Sequence, residues 1–317
     1  MKKENQRTAN PYKYSDSNKR YQTFDYYMRR LFGEKCAKVS LDAGFTCPNI
    51  DGTKSVGGCI YCSSGSSGAQ CRGTLREQYE KGREIMTRKW HCKAFVPYLQ
   101  AHTNTYAPVP VLKRIYDECA SFDGAVMLAI ATRADCLSDE VIELIVRTSE
   151  KIPVMTELGL QSTKDETARL INRGHTFEEF ESGYKRLRSA GGNVKIAVHL
   201  INGLPGEKKE DMIKSAVTVG KLRPDVIKLH LLHVIKGTPL AEMYLSGDFV
   251  PMEKDEYVAT VCDQLEVIPE DIALGRITGD GVSDELLAPD WSRRKTSVAN
   301  DIDKELFRRG TYQGIFA

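Results

Sequence analysis

The interpretation of this chain begins with the stretch DAGFTCPNIDGTKSVGGCIYC, residues 42–62. It holds Cys47 and then, after eleven intervening residues, Cys59 and Cys62. Cysteine thiolates bind the irons of iron–sulfur clusters, and glycines let a loop wrap closely around such a group. Three protein ligands would leave one iron of a four-iron cluster open to a further ligand. The loop therefore suits a metal centre built on three thiols.

A structural zinc site is the alternative for the same loop. Two cysteines separated by two residues also form zinc knuckles, and Cys36 or the adjacent His91 and Cys92 could supply the remaining ligand. The residue types alone leave zinc and iron–sulfur chemistry nearly equal. The position of the loop in the predicted fold is needed to favour one of them.

Apolar runs rich in β-branched residues alternate with amphipathic stretches along the chain. We predict strands at residues 38–43, 94–101, 125–132, 154–161, 194–201 and 226–234. We predict helices at residues 74–90, 108–120, 138–150, 163–172, 176–190 and 208–221. Near-continuous apolar strands are typical of a parallel sheet covered by helices. The alternation predicts an α/β fold, a partial (β/α)6 TIM-like barrel, with a doubly wound open sheet as the competing arrangement.

The predicted barrel has additions at both ends. We expect a basic and aromatic arm at residues 1–25, the barrel at 26–250, and an extension at 251–317 that packs on the same domain. The cysteine loop directly follows the first predicted strand, and active sites of such barrels lie at the carboxyl ends of the strands. This placement favours a catalytic cluster over structural zinc.

The composition is that of an ordinary globular protein, with 41% hydrophobic and 28% charged residues. No stretch approaches the roughly 18 apolar residues of a membrane span, and the polar amino terminus is unlike a secretory signal. We therefore expect a cytoplasmic protein without a membrane partner. In that compartment its nine cysteines are better interpreted as metal ligands, catalytic thiols or core residues than as disulfides.

The net charge of +2 does not by itself indicate a nucleic-acid partner, but the charge is unevenly distributed. The basic residues near the two ends are Lys2, Lys3, Arg7, Lys13, Lys19, Arg20, Arg29, Arg30, Lys35 and Lys38, and then Arg293, Arg294, Lys295, Arg308 and Arg309. The tyrosines among the first group are Tyr12, Tyr14, Tyr21, Tyr26 and Tyr27. Such ends suit RNA contact through phosphates and base stacking, and they suit a solvated surface equally well.

The cysteine loop resembles that of radical S-adenosylmethionine (SAM) enzymes, in particular the branch with the elongator catalytic subunit and the bacterial YtqA/YhcC-type proteins. The usual family spacing is CxxxCxxC, and the enlarged first gap here is similar to that of the elongator-like branch. The resemblance implies a barrel of radical SAM type, a 4Fe–4S cluster on Cys47, Cys59 and Cys62, and bound SAM. In the family, the backbone at the position of Tyr61 lies against the adenine of SAM.

A second resemblance lies in ELGLQSTKDETARLINRGHTFEEF, residues 157–180. It is similar to the elongator-type pattern in which a strand ends in E-x-G-x-Q-S and a helix ends in N-R-G-H-T. The resemblance implies that Gln161 and Arg173 contact SAM, Arg173 at its carboxylate, and that Glu157 supports the site or bonds the ligand. A satisfied polar network in the mouth of the barrel is the alternative role for these side chains.

Two further stretches carry weaker expectations. VHLINGLPGE, residues 198–207, resembles a family turn of the type G-x-P-G-E, and His199 on the strand before it is a candidate SAM contact or a structural histidine. The family usually has G-G-E after the second strand, where this chain has QAHTNTYAP at 100–108. Asn104 and Thr105 would then replace that motif as acceptors for SAM.

The resemblance also implies a chemistry and partners. A radical SAM enzyme forms a 5′-deoxyadenosyl radical and takes its electron from a donor such as flavodoxin or ferredoxin. The elongator relation implies tRNA as substrate, specifically conversion of wobble 5-carboxymethylaminomethyl-uridine to 5-aminomethyl-uridine, with a methyltransferase acting afterwards. The alternatives are a radical SAM oxidoreductase acting on a small metabolite or porphyrin, and a zinc-stabilised RNA-binding protein. No catalytic acid or base can be assigned from the sequence.

Overall fold

The computed structural model describes residues 10–63, 71–100, 102–279 and 284–317. The expectations for Lys2, Lys3 and Arg7 lie outside these residues. Throughout the described ranges, each helix is too short or too polar to cross a membrane.

The elements alternate as the apolar pattern predicts. In chain order they are α1 (Phe24–Phe32), β1 (Cys36–Leu41), α2 (Leu75–Trp90), β2 (Ala94–Leu99), α3 (Val109–Ala120), β3 (Leu128–Thr132), α4 (Asp139–Ser149), β4 (Val154–Gln161), α5 (Asp165–Leu170), α6 (Phe177–Ser189), β5 (Val194–Asn202), α7 (Lys209–Leu222), β6 (Val226–Leu231), β7 (Val234–Ile235), α8 (Pro239–Ser246), α9 (Lys254–Val267), β8 (Ala273–Arg276), β9 (Leu286–Ala288) and α10 (Lys295–Arg309). Helix starts are capped locally: Thr74 with Glu77, and Thr176 with Glu179, form capping boxes.

Seven parallel strands form one curled half-barrel, in the order β1-β2-β3-β4-β5-β6-β8. The predicted α/β barrel is therefore confirmed, and the doubly wound sheet is not what the chain forms. The seventh strand was not predicted. It comes from the segment after residue 250 and pairs with β6 through Val226 to Ala273 and Ile227 to Leu274.

The two faces of the sheet pack against different partners, because successive side chains of a strand point to opposite sides. On the convex face, residues such as Val39, Leu99 and Val198 join one large apolar core with the outer helices. On the concave face, Val96, Met155, Ala197, Val226 and Ala273 pack with Met28 of α1. Several of these residues come early in their strands, so α1 closes the amino-terminal end of the barrel.

The other end of the barrel is covered in part by the chain beyond β6. Strands β7 and β9 pair antiparallel, and α8 joins an apolar cluster with Ile171, Leu204 and Leu232. Ile60 and Tyr61 of the cysteine loop pack against this cluster. The backbone of Ile60 accepts a hydrogen bond from Leu240 at 2.9 Å and donates one to Ile171 at 3.1 Å. The carboxyl-terminal segment therefore fixes the position of the cysteine loop.

Candidate active site

The cysteine loop follows β1 and lies at the carboxyl ends of the strands. Cys47, Cys59 and Cys62 line one cavity of about 440 Å³ that enters the concave face of the sheet. All three are free thiols. Burial and then the neighbouring thiols Cys59 and Cys47 raise the pKa of Cys62 to about 11. Thiolates at these positions would need nearby positive charge, which bound iron supplies.

Two asparagines join the cysteine loop to the N-R-G-H-T turn. The buried side chain of Asn49 donates to the carbonyl of Asn172 at 2.5 Å, and its amide nitrogen lies 3.6 Å from Sγ of Cys59. In return, the amide of Asn172 donates to the carbonyl of Gly58 at 2.7 Å. Gly174 has φ +73°, and an added Cβ there would lie 2.1 Å from the oxygen of Asn49. The two motifs therefore form one structural unit.

Arg173 lies at the centre of this unit. Its guanidinium is 3.9 Å from Sγ of Cys59 and donates to the carbonyl of Gly159. Its Nε is buried without a hydrogen-bond partner among the described residues. Arg133 holds the N-R-G-H-T turn in place. It donates to the carbonyls of Arg173 at 2.9 Å and Gly174 at 3.2 Å, and it pairs with Asp135 at 2.9 Å. A fixed guanidinium beside the thiols can bind a carboxylate.

The end of β4 brings two polar side chains close together at the cavity. Gln161 has φ +80°, a conformation uncommon outside glycine, and the pairing with β5 shifts register between Gly159 and Gln161. A Cβ at position 159 would lie 2.7 Å from Nε2 of Gln161 and 3.1 Å from a guanidinium nitrogen of Arg173. The side chains of Gln161 and Arg173 thus pack directly over the backbone of Gly159, where a larger residue would displace them.

A buried charge network lies deeper in the same barrel. Glu157 accepts hydrogen bonds from Lys38, from Lys228, and from Nε2 of His199 at 3.1 Å. Burial opposes the charge of this carboxyl, but the nearby Lys228 and Lys38 hold its pKa well below the usual value. Burial lowers the pKa of His199 to about 4, so its imidazole is neutral at pH 7. The Glu157 carboxylate therefore joins β4 to three other strands, β1, β5 and β6.

The structure brings five of the seven predicted SAM contacts to the cavity. They are Tyr61, Glu157, Gln161, Arg173 and His199. Their assignment to SAM stays a prediction, because the contacts above are all within the protein.

Asn104 and Thr105 lie elsewhere. The amide of Asn104 donates to the carbonyls of Leu99 at 3.2 Å and Ala131 at 3.0 Å, which ties the loop after β2 to the sheet. The hydroxyl of Thr105 bonds Thr132 and the carbonyl of Cys136. From the same loop, Gln100, His102 and Thr103 line the cavity instead.

Several residues that line the cavity were missed by the sequence analysis. They are Tyr98 on β2, Lys228 and His230 on β6, and Arg276 on β8. Lys228 and His230 stand two positions apart in the apolar run VIKLHL. Polar side chains at a spacing of two on one strand share a face, and that signal was available from the sequence.

The zinc alternative required a fourth ligand that the fold places far away. Cys36 begins β1 and Cys92 precedes β2, so both lie at the amino ends of the strands. A six-residue strand is about 20 Å long, and the cysteine loop is at its other end. Cys36, His91 and Cys92, the further ligands that the zinc alternative offered, therefore lie away from the cysteine loop.

The basic and aromatic ends are largely engaged within the protein. Tyr12 and Tyr21 are buried, and the hydroxyl of Tyr12 donates to the carbonyl of Glu270 at 2.6 Å. Lys19 pairs with Asp303, and Arg309 pairs with Asp263 at 2.5 Å. The two buried tyrosines cannot stack on RNA bases, so the expected aromatic contact is wrong for them.

Comparison with known proteins identifies the class to which this fold and site correspond. The Radical SAM superfamily model matches residues 53–218, and the Radical SAM C-terminal domain model matches residues 224–308. The chain belongs to the radical SAM superfamily. Its cofactors are a 4Fe–4S cluster and SAM, as the resemblance implied.

Individual relatives show which members of the superfamily this chain is similar to. The chain is 43% identical to the uncharacterized protein YtqA of Bacillus subtilis, over 97% of this chain and 96% of that protein. It is 33% identical to protein YhcC of Escherichia coli, over 89% and 91%. The archaeal Elp3 structure from Methanocaldococcus infernus superposes with a TM-score of 0.66 at 20% identity, covering 88% of this chain and 64% of that one. That structural likeness shows the shared fold.

The close packing over Gly159 yields a direct prediction. Gly159→Ala is expected to weaken SAM binding about tenfold, because the new methyl group displaces the side chains of Gln161 and Arg173. Isothermal titration of SAM into the reconstituted protein measures this. In a Gln161→Ala background the same methyl group has more room, so its effect should shrink. Unchanged SAM affinity in Gly159→Ala would contradict the placement of SAM between these side chains.

Proposed function

We propose that this enzyme modifies the wobble uridine of tRNA, converting 5-carboxymethylaminomethyl-uridine to 5-aminomethyl-uridine. The observation that carries the proposal is a match to a tRNA uridine(34) acetyltransferase of Methanocaldococcus infernus, 31% identical over 158 residues. The match spans 49% of this chain and 29% of that protein. Human Elongator complex protein 3 also matches, at 26% identity over 66% of this chain and 36% of that protein.

The residues have distinct roles in this proposal. Cys47, Cys59 and Cys62 hold the cluster. Arg173 and Gln161 contact SAM, Arg173 through the free hydrogen-bonding capacity of its buried guanidinium. When bound, these cofactors supply a radical able to remove hydrogen from an unactivated C–H bond. The half-barrel keeps the reaction away from water, since α1 closes its amino-terminal end.

The substrate reaches the cavity from the carboxyl ends of the strands. The carboxymethylaminomethyl group projects from the uracil ring of the nucleoside. It can therefore extend into the barrel while the ring stays near the mouth of the cavity. His199 and Lys228 line this part of the cavity and provide polar contacts for such a group.

The bond to be broken joins the amine nitrogen to the glycine-derived carbon, so the nitrogen stays on the uridine. Loss of one hydrogen atom and one electron from that carbon would leave an iminium, which water would hydrolyse to 5-aminomethyl-uridine and glyoxylate. The hydrogen would leave in 5′-deoxyadenosine, and the oxidised cluster would take the electron.

The test uses anaerobically reconstituted enzyme, SAM, dithionite and tRNA that carries 5-carboxymethylaminomethyl-uridine at the wobble position. Mass spectrometry of the nucleosides should show loss of that uridine matched by gain of 5-aminomethyl-uridine and by 5′-deoxyadenosine. A Cys59→Ala variant serves as the control without a cluster. Formation of 5′-deoxyadenosine with unchanged tRNA would refute this substrate and direct the search to small metabolites.

A further inference from the structure

We propose that Lys228, together with His230, binds a carboxylate group of the substrate on the inner face of the barrel. This inference rests on the proposed function, because it assigns a place to the carboxylate that distinguishes the proposed substrate from its product. The argument concerns charge, free hydrogen-bonding groups and position along the strands.

The charges around Glu157 do not balance. Its one carboxylate is shared by the ammonium groups of Lys38 and Lys228. Burial and the nearby charge of Lys38 lower the pKa of Lys228 to about 7, even though Glu157 raises it. Farther out, the cavity is also lined by Arg276 and Glu285, one charge of each sign. A second carboxylate brought in by a ligand would neutralise the excess positive charge.

Free hydrogen-bonding groups face the same space. A lysine ammonium has three N–H donors, and Glu157 is the acceptor described for Lys228. The Nε2 atom of His230 is buried and has no partner among the described residues. Burial holds the pKa of His230 well below its usual value, so its ring is neutral and can offer one N–H. Both side chains line the cavity.

The position of the pair suits a substrate held beside the proposed SAM contacts, across the cavity from β4. In the sheet, Gly159 is opposite His199, and His199 is opposite Lys228. Lys228 is therefore level with Gly159, over which Gln161 and Arg173 pack. His230 lies two residues farther along β6, about 7 Å closer to the mouth of the cavity. Lys228 and His230 thus follow the wall of the cavity from the level of Gly159 outward, toward its mouth.

Lys38 provides a matched control. It bonds the same carboxylate as Lys228, but its ammonium lies toward the closed end, 4.8 Å from the ring of Phe24 and 4.6 Å from that of Tyr98. Lys38→Met removes an ion pair with Glu157 while Lys228 stays in place. Lys228→Met removes both the ion pair and the proposed ligand contact, and Lys228→Arg keeps a positive charge.

The experiment measures binding to holoenzyme saturated with SAM, without reductant, so that nothing turns over. One probe pair is tRNA with wobble 5-carboxymethylaminomethyl-uridine against tRNA with 5-aminomethyl-uridine. The other pair is N-benzylglycine against benzylamine, which needs no tRNA. We expect the wild type to prefer the carboxylate member of each pair about tenfold, as a charge-assisted hydrogen bond allows. Lys228→Met should lose the preference and Lys228→Arg should keep it, whereas Lys38→Met removes one positive charge but no proposed contact and should weaken the preference much less than Lys228→Met.

The outcomes separate this inference from the proposed function. If the small probes show a preference that depends on Lys228 while tRNA neither binds nor reacts, the carboxylate site stands and the tRNA substrate falls. If tRNA is converted and Lys228→Met keeps the preference, the carboxylate site is overturned alone. Absence of any preference in the wild type overturns it as well. So does a Lys228→Met variant that loses SAM affinity while keeping the preference, because Lys228 would then serve the cofactor.

Discussion

Alanine at Cys47, Cys59 or Cys62 is expected to reduce the iron content from about four per chain to well under one, since in the proposed site each of these thiolates binds a separate iron of the cluster. The SAM-dependent change in the electron paramagnetic resonance spectrum should disappear with it. Anaerobic iron and sulfide analysis after reconstitution measures the first effect, and spectra recorded with and without SAM measure the second. This is the largest change that a single substitution should cause in this protein.

Cys71→Ala is the matched control for the cluster variants. Cys71 follows the same loop and is half-buried, with its thiol 3.4 Å from the carbonyl of Ser40. A full iron content in this variant would show that the loss is specific to the three ligands. If Cys47→Ala kept about four irons, Cys47 would not be a ligand of the cluster. The enlarged gap between Cys47 and Cys59 would then have no part in the cluster site. If zinc were found in the wild type instead, the cluster assignment itself would be wrong.

Much of the barrel was predictable, because its strands are continuous apolar runs. Strand β4 was predicted at 154–161 and observed at Val154–Gln161. Strand β8 was missed because it contains four residues, Ala273–Arg276, in a region without the preceding alternation. It becomes a strand through pairing with the edge of β6. Tertiary pairing, more than local propensity, determines such a short strand.

The candidate site was predictable where sequence neighbours form it and less so where distant loops meet. Arg173 and Gln161 were expected from one continuous motif, and both line the cavity with the cysteines. Asn104 was predicted as a SAM contact by analogy with the family motif. Its loop folds back, and its side-chain amide donates to the carbonyl of Ala131. Lys228 was overlooked because β6 was interpreted only as a buried strand, and its partner Glu157 is distant in sequence.

Removal of the Glu157 carboxylate, which joins β4 to β1, β5 and β6, should cost more stability than any other single change inside the barrel. Glu157→Gln leaves Lys38 and Lys228 without their shared counter-charge in a buried site. We expect the free energy of unfolding in urea to fall by about 3 kcal/mol at pH 6. Removing one member of a buried ion pair leaves the other charge buried without a partner. The measurement is made on apo protein under anaerobic conditions, so that the cluster does not contribute.

The pH dependence identifies the cause of that loss. Because burial lowers the pKa of Lys228 to about 7, its ammonium is charged in the native wild type at pH 6 and mostly neutral at pH 9. Glu157 therefore has less positive charge to neutralise at pH 9, and the cost of Glu157→Gln should be smaller there, with only Lys38 left to pair. Adding Lys228→Met to Glu157→Gln should recover part of the stability at pH 6 and little at pH 9. A loss that is equal at both pH values would mean that Glu157 acts through packing and its bond to His199, and that the charge of Lys228 is unimportant for the fold.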